Sequence, residues 1–113
     1  MINKKPLEGK FALITGSSSQ LGNEFCKTLA LNGATLIITD IKEEKCKSVR
    51  NEIEKLTNKK HFIKKLDIKL ENDVNGIIEF IKENSLSLDI LINSAGKAVF
   101  TSYTERTKEE FME

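Results

Sequence analysis

Residues whose types and spacing could do chemistry fall at four places in this 113-residue chain. Between Thr15 and Gly22 the sequence reads TGSSSQLG, two glycines bracketing three serines. Single carboxylates, Asp40 and Asp67, follow two further runs, and Asn93-Ser94-Ala95-Gly96 follows a last one. A small-residue turn that opens a helix offers unpaired amides and the positive end of the helix dipole, which suit a phosphate, and glycine lets a ligand approach the backbone closely. Ser17, Ser18 and Ser19 could add hydroxyl donors, although a serine turn capping a helix is also an ordinary connection. The turn alone fits both readings.

Elements must bring these positions together. Phe11 to Thr15 is a short apolar run stopped by Gly16, the pattern of a strand buried on both faces. Leu21, Phe25, Cys26, Leu29 and Ala30 then recur at spacings of three and four, which predicts a helix ended by Asn32-Gly33. Ala34 to Thr39 is a second β-branched run before Asp40, and Cys46, Val49, Ile53 and Leu56 mark a helix over Glu43 to Leu56. Lys60 to Leu66 mixes apolar and basic residues, which fits an edge strand or a loop, and is read as a strand. Val74, Ile77, Ile78 and Ile81 give a third helix with Asn72 or Asp73 as N-cap, and Leu88 to Asn93 a fourth strand. Thr107 to Glu110 reads as the start of a helix that is unfinished at Glu113.

Strands alternating with helices require parallel pairing through right-handed crossovers, with helices on both faces of the sheet. The expected fold is therefore α/β, the first half of a Rossmann-like doubly wound parallel sheet with strand order 3-2-1-4, truncated in mid-fold. Residues 1–113 read as one domain, the N-terminal part of such a sheet.

Composition narrows the partners. Eighteen basic against 17 acidic residues and 39% hydrophobic content describe a globular chain with no electrostatic bias toward nucleic acid or membrane. Cys26 and Cys46 have no CxxC spacing and His61 is the single histidine, so neither a zinc site nor a disulfide framework is expected. The start, MINKKPLEGK, has no apolar core of a signal peptide, and no run approaches the roughly 18 apolar residues of a membrane span. A cytoplasmic location is the default.

In a doubly wound sheet, ligands bind beyond the carboxyl ends of the strands where strand order reverses, here between the first and fourth strands. Asp40 lies 18 residues past Gly22 at the end of the second strand, where a carboxylate can accept hydrogen bonds from an adenosine ribose and repel a 2′-phosphate. Neither Ser18 nor Ile41 is basic, which favours NAD over NADP, with Lys42 the one neighbour that argues otherwise. Asp67 could touch an adenine amino group or cap the next turn.

Taken together, TGSSSQLG, Asp40, LDI at Leu66 to Ile68 and INSAG at Ile92 to Gly96 resemble the short-chain dehydrogenase/reductase family in order and spacing. Its corresponding patterns are TGxxxGxG, an acidic residue after strand two, Asp plus an aliphatic residue after strand three, and NNAG after strand four. The resemblance implies that Gly16, Leu21 and Gly22 line a pyrophosphate, in the turn that also offers the serine donors Ser18 and Ser19. It likewise implies Asp40 and Ile41 at the adenine ribose, Asp67 and Ile68 at the adenine, and Asn93, Ala95 and Gly96 beside the nicotinamide ribose. Two departures stand out: Ser19 or Gln20, depending on alignment, takes the middle glycine's place, and Ser94 replaces a second asparagine.

The family moves a hydride between nicotinamide and an alcohol or carbonyl substrate, using a tyrosine, a lysine and a serine that fall past residue 113. The chain is therefore expected to hold the cofactor end of an NAD-dependent oxidoreductase and to be inactive alone. Tyr103, the single tyrosine, precedes Lys108 by five positions, whereas a pair sharing a helix face needs three or four. The alternative is a catalytically inert nucleotide-binding or scaffolding module, whose unpaired fourth-strand edge would invite an oligomer.

Overall fold

A computed structural model describes residues 5–94. Four strands alternate with three helices: β1 (Phe11–Thr15), α1 (Gln20–Leu31), β2 (Thr35–Asp40), α2 (Glu43–Thr57), β3 (Phe62–Lys65), α3 (Glu71–Glu83) and β4 (Leu88–Asn93). All pair in parallel in the order β3-β2-β1-β4, so the sheet is the first half of a doubly wound fold as its alternation requires. Order reverses between β1 and β4, whose carboxyl ends meet at Thr15 and Asn93.

Alternation along β1 distributes its side chains between two cores. Ala12 and Ile14 face α1 and α2, packing with Cys26, Ala30, Val49 and Ile53, while Leu13 faces α3 with Ile37, Leu66 and Ile77. Cys26 and Cys46 are free and fully buried, and burial pushes both thiols up to about 11, so neither is a thiolate at neutral pH. The β1–β4 register slips between Phe11 and Ala12 of β1, and the Asp89 carboxylate accepts the Phe11 amide there at 2.9 Å. Leu91 on this strand is 61% exposed.

Boundaries differ from expectation where side chains replace ladder bonds. The third strand is shorter than Lys60 to Leu66, because His61 turns its ring into the sheet instead of continuing it. The third helix begins at Glu71 with Leu70 as N-cap, not Asn72 or Asp73; the Asp73 side chain instead accepts the Asp67 amide at 2.9 Å and ties β3's exit to the helix. The expected helix start at Thr107 to Glu110 lies outside the described residues. Among the described residues no helix is long and apolar enough to cross a membrane.

His61 is 7% exposed, and its Nδ1 accepts the Leu36 amide at 3.0 Å just before the β2–β3 register begins. Thr57 Oγ1 donates to the Ile53 carbonyl and so receives the Nε2 proton, which assigns the neutral Nε2–H tautomer. Burial and the nearby Lys59 charge hold the imidazole below its ordinary 6.5, partly opposed by Glu54. The folded state thus binds fewer protons than the unfolded one, so its stability is full above about pH 6.5 and declines below it. Urea midpoints should fall between about pH 7.5 and 5.5, and His61→Asn, whose oxygen can accept the Leu36 amide, should flatten that slope.

Candidate functional site

The turn after β1 is built by its own hydrogen bonds. Gly16 adopts φ +60°, a conformation glycine accepts freely. Ser19 is the N-cap of α1: its Oγ receives the Gly22 amide at 3.0 Å and donates to the Gly16 carbonyl at 2.8 Å. Ser17 is fully buried and donates its hydroxyl to Ile14 and its amide to Thr39, while Ser18 gives its hydroxyl to Asp40. All three serine hydroxyls donate to protein acceptors in this structure. Among the described residues, no acceptor stands against the amides of Gln20 and Leu21, the first two positions of a 12-residue helix.

The glycines divide by what they do. A Cβ on Gly22 would stand 2.2 Å from the Gly16 carbonyl oxygen and 2.8 Å from Ser94 Oγ, so this position admits no side chain. Gln20, one of the two candidates for the middle glycine's place beside Ser19, is an exposed residue with ordinary helical backbone and no positive φ. Within this turn, the two glycines with a conformational or steric demand, Gly16 and Gly22, are retained.

Asp40 ends β2 with its side chain against this turn. Its Oδ2 receives the Ser18 hydroxyl at 2.6 Å and the Ser18 amide at 3.0 Å, and Oδ1 receives the Lys42 amide at 3.5 Å. Burial raises the carboxyl, but the hydrogen bonds from the Ser18 hydroxyl, the Ser18 amide and the amides of Lys42 and Ile41 outweigh it and hold the group below its ordinary 3.8. Asp40 is thus charged at neutral pH. Ile41 beside it is 54% exposed.

Asp67 caps the turn after β3, accepting the Lys69 amide on Oδ1 at 3.0 Å. Ile68 packs partly into the α3-side core. At the switch point, Thr15 Oγ1 donates to Asn93 Oδ1 at 2.8 Å and receives the Ser94 amide at 3.1 Å, while Ser94 Oγ donates to the Thr15 carbonyl. Asn93 and Ser94 thereby fasten the end of β4 to β1.

Gly16, Ser18, Ser19, Asp40, Ile41, Asp67 and Ile68 come together along one groove of about 340 Å³. Leu21 is 61% exposed on the first turn of α1, Gly22 lies behind the turn, and Asn93 stands at the strand ends. Ala95, Gly96 and Tyr103 lie outside the described residues. The groove also takes in Lys45, Lys69 and Ser94, which sequence reasoning left aside. Lys45 carried a usable signal, since it sits in the helix that opens just after the Asp40 strand end. A second hollow of about 260 Å³, between α3 and β4, is lined chiefly by aliphatic side chains such as Leu13, Val74, Ile77 and Leu91.

The family model of the short chain dehydrogenase matches residues 10–113. Cyclopentanol dehydrogenase of Comamonas sp. (strain NCIMB 9872) is 33% identical over 102 residues, 90% of this chain and 40% of that protein. The 7alpha-hydroxysteroid dehydrogenase of Escherichia coli (strain K12) is 33% identical over 90 residues, 80% of this chain and 35% of that one. The chain therefore spans about 40% of the length of such relatives. Among solved structures, hydroxysteroid dehydrogenase from Escherichia coli superposes with a TM-score of 0.74 at 30% identity, over 93% of this chain and 44% of its own. The 2-keto-3-deoxy-D-gluconate dehydrogenase from Streptococcus agalactiae gives 0.72 at 33%, over 93% and 39%. With its parallel sheet, its helix-opening turn and its strand-end carboxylate, the chain belongs to the short chain dehydrogenase family.

Proposed function

We propose that this chain forms the NAD-binding part of an oxidoreductase that moves a hydride between nicotinamide and an alcohol or carbonyl substrate. The observation that carries the reading is Asp40, a charged carboxylate at the end of β2, sharing one groove with the glycine turn and the start of α1. The residues present fit a dinucleotide. Gly22 leaves room where any side chain would fill the turn, and the amides of Gln20 and Leu21, which meet no acceptor among the described residues, can donate to a pyrophosphate oxygen at the positive end of α1. Asp40 would accept the adenine-ribose hydroxyls, with Ile41 and Ile68 offering apolar contact to the adenine and Asp67 a polar edge. When bound, the nicotinamide supplies the hydride chemistry; the residues of this chain bind and orient it. Asn93, with Ala95 and Gly96, is assigned to the nicotinamide-ribose end, where Thr15 and Asn93 join β1 to β4.

The substrate class is drawn from relatives named for cyclopentanol and hydroxysteroids, both carbinols. The preference for NAD rests on the charge at Asp40, since a 2′-phosphate would meet a like charge at short range. Calorimetric titration should show NAD binding at least about tenfold tighter than NADP. Tighter binding of NADP, or no binding of either, would overturn the assignment.

A further inference from the structure

We infer that Ser18 is a positioning residue whose hydroxyl fixes the Asp40 carboxylate, so that the groove takes a ribose 2′-hydroxyl and refuses a 2′-phosphate. The inference rests on the cofactor reading above and assigns the discrimination within that site. Two donors from Ser18, the hydroxyl at 2.6 Å and the amide at 3.0 Å, converge on the single oxygen Oδ2. Oδ1 receives the Lys42 amide at 3.5 Å, a long contact that leaves acceptor capacity for a ligand on the side away from the Lys42 and Ile41 amides. A carboxylate held at one oxygen presents the other in a set direction, which suits a neutral hydroxyl that donates to it. A phosphate faces the same charge and cannot displace it without breaking two charge-assisted bonds.

Cations make this restraint necessary. Lys45 and Lys69 line the same groove, and either would attract a phosphate if the carboxylate could swing aside. Because the Ser18 hydroxyl is already committed to Asp40, its influence on the ligand passes through that carboxylate. Burial alone would raise the Asp40 carboxyl, and the Ser18 hydroxyl is the strongest of the groups that lower it.

The test compares Ser18→Ala and Ser18→Thr with the unmodified protein by calorimetric titration of NAD and of NADP. The Asp40 carboxyl is followed separately by carbon-detected NMR against pH without ligand. Ser18→Ala should weaken NAD about tenfold, corresponding to the loss of one hydrogen bond to a charged group, while NADP affinity holds or improves. Ser18→Thr, which keeps the hydroxyl, should keep the preference, and Asp40 should titrate at higher pH in the alanine variant. Equal weakening of both dinucleotides by Ser18→Ala, or an unchanged preference with Asp40 titrating as before, would overturn the role of Ser18 while leaving the cofactor assignment intact. Failure of the unmodified protein to bind either dinucleotide would overturn both.

Discussion

Replacing Gly22 with alanine is expected to abolish dinucleotide binding and to cost the fold about 3 kcal/mol, at the upper end of what an overpacked site costs. The added Cβ would lie 2.2 Å from the Gly16 carbonyl oxygen and 3.0 Å from its carbon, both backbone atoms. That carbonyl is itself held in place, accepting the Ser19 amide at 3.1 Å and the Ser19 hydroxyl at 2.8 Å. Relief must therefore come from moving α1 away from β1, which carries the amides of Gln20 and Leu21 off the groove and parts Ser94 from Thr15. Gly76 supplies the control: it lies inside α3 with nothing within 4 Å of its virtual Cβ. Gly76→Ala should stabilise by about 0.5–1 kcal/mol and leave NAD affinity unchanged. Urea unfolding and NAD titration of the two variants check both halves of the expectation.

Asp40→Ala should reverse the dinucleotide preference. Its carboxylate is the one acidic acceptor at the end of β2, and losing hydrogen bonds to a charged acceptor should weaken NAD by about 10- to 100-fold. NADP should gain, because the like charge is gone while Lys45 and Lys69 remain in the groove. The substitution also strips the Ser18 hydroxyl and amide of their acceptor, so stability should fall by about 2 kcal/mol at neutral pH. The pH dependence has a definite sign. With the folded-state carboxyl held below 3.8, the contribution of Asp40 is complete above that value and disappears as pH falls through the folded-state titration. NAD affinity should accordingly be flat between about pH 8 and 5 as far as this group is concerned. Competition titrations with both dinucleotides, together with urea midpoints at neutral pH, measure these effects.

The framework was readable because it depends on patterns along the chain. Apolar runs of five or six residues ended by Gly16, Asp40 and Ser94 marked β1, β2 and β4, and helical spacing of Cys46, Val49 and Ile53 marked the buried stripe of α2. The alternation then forced parallel pairing and placed four sets of polar residues at one end of the sheet. What resisted reading depends on pairs that only the folded sheet brings together. Ser18 and Asp40 are 22 positions apart, and nothing in the serine run says that its hydroxyls go to Asp40, to Ile14 and to Gly16. The third strand was legible, but its start at Phe62 was not, since His61 just before it accepts the Leu36 amide from a neighbouring strand. Asp73 looked like a helix cap because its type and position allowed it, yet the nearby Asp67 amide takes its carboxylate.

Gln20 has helical backbone and an exposed side chain, so the fold of the turn itself asks for no glycine there. The two positions of this turn with a steric or conformational demand, Gly16 and Gly22, both keep their glycine.

The assignment of this groove to a dinucleotide is tested most directly by adding NAD to the isotopically labelled protein and following its amide resonances. The account predicts the largest shifts at Gly16 through Gly22 and at Asp40, Ile41, Asp67 and Ile68, with Gln20 and Leu21 foremost. Shifts confined to Val74, Ile77 and Leu91 around the apolar hollow, with the Gly16–Gly22 turn unmoved, would contradict it.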